Sequence, residues 1–175
     1  MNQRLRSSLI VFALALLAAS VSHAQAPAAN PLDVVPDKMP FDIPYGAPVT
    51  LDRADVVLAA SLAEANKRGW KLVCAVIDSG GNLVSLRRMD GAQLASIDIA
   101  MHKARAAVKF RRETKVFETN VQTGNVYQLT LDDVVASRGG IPLVSEGKLV
   151  GAIGCSGGSG SQDEVVAKAG VAAFK

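Results

Sequence analysis

One stretch near the end of the chain, residues 139–174, constrains the fold more than any other part of the sequence. It contains two short apolar runs around a Glu-Gly-Lys turn, then a loop of glycine and serine, then an amphipathic segment. The two runs predict a β-hairpin, and the amphipathic segment predicts a helix. Ser161 and Glu164 have the spacing of a capping box, so we expect the helix to begin near them. The predicted parts are strands at 141–144 and 149–153, the loop at 154–161 and the helix at 162–174.

A second hairpin and several helices precede this stretch. An apolar run, a turn of Asp, Ser, Gly and Asn, and a return run predict two more antiparallel strands. The element order is α-β-β-α-(α)-β-β-α, which predicts an α+β fold with a mostly antiparallel sheet of about five strands and flanking helices. The sequence lacks the βαβ repeat of a dinucleotide-binding fold. The predicted helices are 51–68, 95–110 and 113–119, with a helical turn at 131–137, and the predicted strands are 72–77 and 83–88.

Residues 1–24 have the layout of a secretory signal peptide. Arg4 and Arg6 precede an apolar core of 11 residues, and the small residues Ser22 and Ala24 precede the expected cleavage site. The core is too short for a transmembrane helix, which needs about 20 residues. We therefore expect a periplasmic or secreted protein. Cleavage removes two of 19 basic residues and none of 16 acidic ones, so the charge of the exported chain gives no reason to expect nucleic-acid binding.

Residues 25–50 hold six of the seven prolines and predict an extended arm before a folded domain at 51–175. Two interpretations stay open for this arm. It is either a disordered linker or a segment that packs on a neighbouring subunit through its apolar side chains. Those side chains are Met39, Phe41, Ile43 and Tyr45.

His102 is the only histidine that remains once the signal peptide and its His23 are removed. The exported chain therefore cannot build a metal site from several of its own histidines. A single imidazole can ligate a haem iron axially or act as a general base. The alternative is an ordinary surface residue of the second helix. Met89 and Met101 could be soft ligands, although methionine more often fills a core.

Two further groups of residues could bind an anion. The loop residues Ser156, Gly157 and Gly158 lead into a helix N-terminus, whose free N–H groups suit a carboxylate or a propionate. A plain strand-to-helix turn would use the same residue types, and the loop lacks the lysine and spacing of a P-loop. A basic cluster near the end of the second helix is either a solvated helix end or an anion-binding rim. It comprises Arg105, Lys109, Arg111, Arg112 and Lys115.

The two cysteines, Cys74 and Cys155, lie in or near predicted strands. An exported protein can join two cysteines in a disulfide, but only when their Cα atoms lie close together. From the sequence we expect two buried thiols. The serines of the loop lack the G-x-S-x-G elbow of a serine hydrolase.

The strings AVIDSGGNLVSLRRMDGAQLASIDIAMHKARAAVKF and GGIPLVSEGKLVGAIGCSGGSGSQDEVVAKAG resemble the GlcG/HbpS family (DUF336). The resemblance covers about residues 51–175. It implies an antiparallel sheet flanked by helices, and assembly into homo-oligomers. Some exported relatives bind haem or haem-derived iron, whereas others are encoded with glycolate-use genes or fused to cobalamin-related enzymes. The fold alone therefore does not fix the function.

The chain departs from the family pattern at three positions. Cys155 stands where the family has valine, Asn82 where many relatives have histidine, and Ala106 where threonine is commoner. A ligand at position 82 and a hydroxyl at position 106 are therefore lost. By elimination, His102 is left as the candidate iron ligand.

Two hypotheses follow, together with a third in which the chain is a structural oligomer without a ligand. The first is an exported haem (tetrapyrrole)-binding protein in haem or iron handling, with His102 as axial ligand and the Ser156–Ser161 loop offering N–H groups. In this hypothesis the haem propionates would be bound by the basic residues Lys103, Arg105, Arg111 and Arg112. The macrocycle would lie in an apolar slot lined by Val76, Leu86, Met89 and Met101. The second is a cofactor-independent isomerase or lyase for a small hydroxy or keto acid, with His102 or Asp163 as the base.

Overall fold

The computed structural model describes residues 33–39 and 41–175. The predicted signal peptide and most of the prolines before residue 40 lie outside the described residues. The chain divides into one unit of residues 1–37 and a second of residues 38–175. In the first unit, the described residues 33–37 are exposed. The second unit contains all the helices and strands that follow.

The order of elements predicted from the sequence is confirmed. The helices are α1 (Leu51–Lys67), α2 (Ser96–Lys109), α3 (Lys115–Gln122) and α4 (Gly160–Ala173). The strands are β1 (Val73–Asp78), β2 (Leu83–Arg88), β3 (Gly140–Ser145) and β4 (Lys148–Ser156). A 3₁₀ helix lies at Val126–Thr130, earlier than the helical turn expected at 131–137.

The four strands form one antiparallel sheet in the order β2-β1-β4-β3. The α+β class is confirmed, but the described residues form four strands instead of about five. Each predicted hairpin supplies two neighbours, and β1 pairs with β4 to join the hairpins. Because β1 and β4 lie in the middle, nearly all their side chains are buried, whereas the edge strand β2 is half exposed.

Helices cover both faces of the sheet. On one face, α1 and α4 bury Val57, Leu58 and Val166 against Val76 and Ile153. On the other face, α2 packs its small residues against the sheet. These are Ala104, Ala107 and Val108, in contact with Ile77, Leu149 and Ala152. The described domain is therefore a three-layer packing with the sheet in the middle.

Gly154 explains how closely α2 approaches the sheet. A Cβ atom at this position would lie 2.1 Å from the carbonyl oxygen of Ala100 and 2.5 Å from the backbone nitrogen of Ala104. The backbone of α2 thus rests directly on β4, and only glycine leaves the space.

Cys74 and Cys155 form a disulfide, so the expectation of two buried thiols is wrong. They are directly opposite each other on β1 and β4, with Cα atoms 4.2 Å apart. The sequence could not show this pairing because it depends on which strands of the two hairpins become neighbours.

Residues 41–49 of the proline-rich arm pack on their own chain. Ile43 contacts the apolar cluster under α2, and Val49 is buried. The Tyr45 hydroxyl donates to the carbonyl oxygen of Val108 at 3.0 Å, and Tyr45 forms a parallel bridge with Leu149. Met39 stays exposed.

The last helix begins two residues earlier than the Ser161–Glu164 spacing suggested. Ser159 is the N-cap, its side chain accepts from the backbone of Gln162, and the Gln162 side chain accepts from the backbone of Ser159. This reciprocal pair is a capping box built on glutamine instead of glutamate. Within residues 33–39 and 41–175, no helix is long and apolar enough to cross a membrane.

Candidate functional site

Lys103 and Asp163 form a buried ion pair where α2, β4 and α4 meet. Their side chains are 1% and 4% exposed, and Lys103 Nζ lies 2.8 Å from Asp163 Oδ2. Lys103 Nζ also donates to the carbonyl oxygen of Cys155 at 3.2 Å. The backbone N–H of Gly158 donates to Asp163 Oδ1 at 3.0 Å. Both charges are therefore satisfied inside the protein.

Two helices and one glycine position this pair. Lys103 lies on α2, on one face of the sheet, and Asp163 lies in the first turn of α4, on the other face. A Cβ at Gly139 would lie 2.9 Å from the Cβ of Asp163 and 3.3 Å from Lys103 Nζ. The missing side chain at Gly139 thus leaves space for the lysine to reach across the end of the sheet. Burial raises the pKa of Asp163, while Lys103 and the N–H groups of the loop oppose that rise.

This burial corrects the roles expected for Lys103 and Asp163. Lys103 cannot guide a propionate at the surface, because its ammonium group is enclosed and paired. Asp163 lacks the access to a substrate that a general base needs. The motif residues Lys103, Gly139 and Asp163 instead connect the two helical layers.

The hydrogen-bond donors of the Gly/Ser loop are directed at acceptors of the same chain. Gly158 donates to Asp163, Ser159 donates to Gln162, and the buried Ser156 hydroxyl donates to the Ser96 hydroxyl at 3.3 Å. The anion held by this loop is therefore the carboxylate of Asp163. Gly157 is half-buried and Gly158 is exposed, but the arrangement is that of a strand-to-helix turn.

His102 has the opposite environment from its neighbour Lys103. It is exposed on the outer face of α2. Arg105, one turn later and half-buried, donates from Nε to the carbonyl oxygen of Gly81 at 3.4 Å. Leu94, in the turn that leads into α2, is 74% exposed. The outer face of α2 therefore carries an accessible imidazole, with a half-buried guanidinium one turn later on the same helix.

The expected apolar slot does not form, because its four residues lie on different faces of the sheet. Val76 is buried under α1 and α4, and Met89 packs at the edge of the same cluster. Leu86 and Met101 pack against the cluster under α2. Strand alternation separates Val76 from Leu86, and the sequence alone did not show which helix covers which face.

Arg111 and Arg112 line a cleft of about 530 Å³ beside the edge strand β3. Its walls come from the arm, the end of α2, β3 and the end of α4. The lining residues are Phe41, Ile43, Arg111, Arg112, Glu113, Ile141, Pro142, Val144, Val171 and Phe174. The sequence pointed to the two arginines but not to the apolar walls, because those come from four separate segments.

A second cleft, of about 420 Å³, lies at the end of α1 and contains Met89. Its other lining residues are Asn66, Gly69, Trp70, Lys71, Arg88 and Asp90. His102, Met89 and the Arg111–Arg112 pair therefore belong to three separate places on the described chain.

Glu118, Arg138 and Glu164 form a half-buried ion-pair network close to Asp163. Glu118 accepts from Arg138 Nε at 2.9 Å and from the Arg138 backbone at 2.7 Å. Arg138 also reaches Glu164 at 3.3 Å, and Lys115 and Lys168 pair with the same carboxylate. The Arg138 guanidinium holds the pKa of Glu118 below its ordinary value. This network fastens α3 to α4.

A haem group needs a side chain that can ligate its iron axially. The outer face of α2 around His102, the cleft with Met89 and the cleft beside β3 differ in whether they offer such a side chain. The lining of the cleft beside β3 has no histidine, cysteine, methionine or tyrosine among the described residues. The described part of the chain also has no cluster of three or more His, Cys, Asp or Glu side chains suited to a metal ion. His102 fits as a single axial donor because its imidazole is accessible. The rest of a haem site would have to enclose it from outside this helix face.

Comparison with known proteins gives the family. A family model described as "Haem degrading protein HbpS-like" matches residues 49–172. Protein GlcG of Escherichia coli strain K12 is 41% identical over 103 residues, which are 59% of this chain and 77% of GlcG. The crystal structure of HbpS has a TM-score of 0.69 at 28% identity and covers 81% of this chain and 99% of its own. A crystal structure of a PduOC–haem complex has a TM-score of 0.67 at 28% identity and covers 74% of this chain and 96% of its own.

These matches confirm the family that the sequence motifs indicated. The matched region begins near the buried Val49 and includes every helix and strand from α1 to the greater part of α4. The sheet and its two helical layers are thus the shared part. The chain belongs to the HbpS-like family.

Proposed function

We propose that this chain is an exported haem-binding protein that uses His102 as the axial iron ligand and takes part in haem or iron handling. The observation that carries the proposal is the structural match to a protein solved as a haem complex, together with the HbpS-like family. Haem would supply iron chemistry, and this chain's residues would bind and orient the group.

The outer face of α2 supports His102 in that role. Its imidazole is exposed, whereas the neighbouring Lys103 is buried. Because Lys103 is buried, Arg105 is the nearest partly exposed cation along the helix, and its guanidinium could bind a propionate. Leu94, in the turn that leads into α2, is an exposed apolar side chain. We assign the propionate role to Arg105 and no longer to Lys103.

An open helix face covers one side of a flat macrocycle only. We propose that a second copy of the chain covers the other side, so that the site forms between subunits. Hemin should then shift the sedimentation coefficient of the protein or stabilise an existing oligomer. Stoichiometric hemin binding to an unchanged monomer would contradict the shared site.

Hemin titration of a histidine variant tests the ligand. His102→Ala should lose the shifted Soret band, and free imidazole should restore it by supplying the missing donor. Asp98→Ala is the matched control, because Asp98 is exposed on the same helix one turn earlier, and this variant should keep the Soret band. An unchanged Soret band in His102→Ala would exclude His102 as the ligand.

Export is proposed from residues 1–24, and the Cys74–Cys155 disulfide supports it, because disulfides persist mainly in oxidising compartments. Fractionation of cells that express the full chain should place a shortened protein, beginning near Gln25, in the periplasm or medium. Full-length protein retained in the cytosol would contradict this localisation.

A further inference from the structure

The cleft beside β3 combines two cations with apolar walls. Arg111 and Arg112 line it together with the apolar residues Ile141, Pro142, Val144, Val171 and Phe174, and with Phe41 and Ile43 from the arm. Its volume of about 530 Å³ is within the range of small-molecule sites, roughly 300–1,000 Å³.

The two guanidinium groups have donors to spare. Arg111 donates from Nη1 to the carbonyl oxygen of Ile43 at 3.2 Å, and Arg112 donates from Nε to that of Phe110 at 2.9 Å. Among residues 33–39 and 41–175, no carboxylate lies within ion-pair distance of either arginine. Glu113 also lines the cleft, so the charge there is two positive against one negative. An anion would therefore be attracted to this cleft.

Arg112 is held in place before any ligand arrives. Its Cζ lies 3.3 Å from the centre of the Phe41 ring and 5.5 Å from that of the Phe117 ring. Burial first, and then the charge of Arg111, lower the pKa of Arg112. A planar group that already packs against two rings loses little freedom when it binds a carboxylate.

Arg111 occupies a backbone position that normally favours glycine. Its φ is +54°, and the N–H groups of Arg111 and Arg112 donate to the carbonyls of Val108 and Ala107. This is the Schellman arrangement, in which the left-handed residue after the helix end is usually glycine. An arginine there costs roughly 1 kcal/mol or more of backbone strain. The Arg111 side chain contributes the hydrogen bond to Ile43 and a cation–π contact with Tyr45, whose ring centre lies 5.8 Å from its Cζ. The N–H donors that these contacts do not use are those a ligand could bind.

The strand edge favours a small molecule over a peptide strand. The N–H and C=O of Gly140 point outward to Thr114, so the backbone of Pro142, two residues on, also faces outward. Because proline has no N–H, a peptide strand added beside β3 would lack one backbone hydrogen bond at Pro142.

We propose that this cleft binds a small monocarboxylic acid with an apolar chain or ring, with its carboxylate on Arg111 and Arg112 and its apolar part against Pro142, Val144 and Phe174. This site is separate from the proposed haem ligand His102.

Isothermal titration of the full chain with octanoate tests the proposal, with 1-octanol as the uncharged probe of equal chain length. Octanoate should bind at least tenfold more tightly than octanol, since a charge-assisted hydrogen bond contributes enough for such a ratio. Equal affinity for the two probes, or no octanoate binding up to its solubility limit, would overturn the proposal.

Three variants locate the site. Arg112→Gln and Arg111→Gly should each weaken octanoate binding about tenfold or more. Glycine suits the left-handed position, which offsets the loss of the Arg111 hydrogen bond to Ile43, so Arg111→Gly should stay folded with little change in melting temperature. Arg87→Gln, on the opposite edge strand β2, should leave the affinity unchanged.

Hemin titration of the same variants separates this site from the proposed haem site. Arg112→Gln should keep the Soret band of the unaltered chain, and octanoate should not compete with hemin. Unchanged octanoate affinity in both arginine variants would exclude the cleft as the carboxylate site. Competition between octanoate and hemin would overturn the separation of the two sites.

Discussion

Lys103 and Asp163 illustrate how a buried charge is tolerated at the scale of single residues. Removing two charges from water is costly, and only a well-made pair with further hydrogen bonds offsets that cost. Here the carbonyl of Cys155 and the N–H of Gly158 supply those bonds. The pair therefore depends on both partners being present.

Breaking the pair from one side should be strongly destabilising. Lys103→Met leaves Asp163 buried without its cation, and we expect a loss of about 3–5 kcal/mol in the free energy of unfolding. The double variant Lys103→Met/Asp163→Asn should recover part of this loss, because no uncompensated charge remains. Urea unfolding of both single variants and the double variant measures the coupling. Additive effects of the two substitutions would contradict a direct interaction.

Glu118 gives the protein an acid-dependent part of its stability. Its hydrogen bonds to Arg138 lower its pKa below the ordinary value of 4.5. A lowered pKa in the folded state stabilises the protein above the unfolded pKa, and this contribution is lost as the pH falls through the folded pKa. Glu118→Gln should therefore cost stability at pH 7 and progressively less below about pH 4.5.

The control for this prediction is Glu146→Gln, in the exposed turn between β3 and β4. Urea unfolding of that variant at the same pH values measures the effect of losing one exposed carboxylate, and the effect of Glu118→Gln is taken relative to it. A Glu118→Gln effect of constant size from pH 7 to acid would show that the hydrogen bonds to Arg138 are not linked to protonation.

At the scale of elements, α2 connects the fold to both proposed sites. Its inner face rests on β4, its outer face presents His102, and its end holds Arg111. The contact at Gly154 sets the distance between α2 and the sheet. A substitution at this position should therefore shift the whole of α2.

Gly154→Ala should displace α2 from the sheet. The added Cβ would lie 2.1 Å from a backbone oxygen of α2, and overpacking of this kind costs roughly 1–3 kcal/mol or more. Amide hydrogen exchange along α2 should become faster. Gly147→Ala is the control: its Cβ meets no atom within 4 Å, although its φ of +72° carries backbone strain. Equal protection of α2 in both variants would contradict the steric argument.

The order of helices and strands could be predicted from the sequence because the two strands of each hairpin are close together in the chain. Apolar alternation and turn residues define the two hairpins within a few residues of one another. The start of α4 was placed two residues late, because glutamine at position 162 serves the capping box as well as glutamate would. The pairing of β1 with β4 is not local, and no pattern in either hairpin specifies it.

At the scale of the whole molecule, the disulfide joins the two hairpins. It links residues separated by 81 positions, one in the first hairpin and one in the second. A crosslink of that span restricts the unfolded chain strongly. The double variant Cys74→Ala/Cys155→Ala should lose about 2–4 kcal/mol of unfolding free energy.

Two measurements check the disulfide. A thiol assay of the denatured, unreduced protein should find no free cysteine, and a reductant should lower the urea midpoint of the unaltered chain only. Equal midpoints with and without reductant would show that the crosslink does not contribute to stability.

The sequence alone determined the family, the α+β class, the element order and the candidate residues, because motifs, turns and periodicity are local properties of the chain. Only the tertiary structure decided which candidates are accessible. His102 and Lys103 are neighbours in sequence, yet one faces solvent and the other is paired inside the protein. The cleft at Arg111 and Arg112, and the bond between Cys74 and Cys155, likewise arise from segments far apart in the chain, and packing alone brings them together.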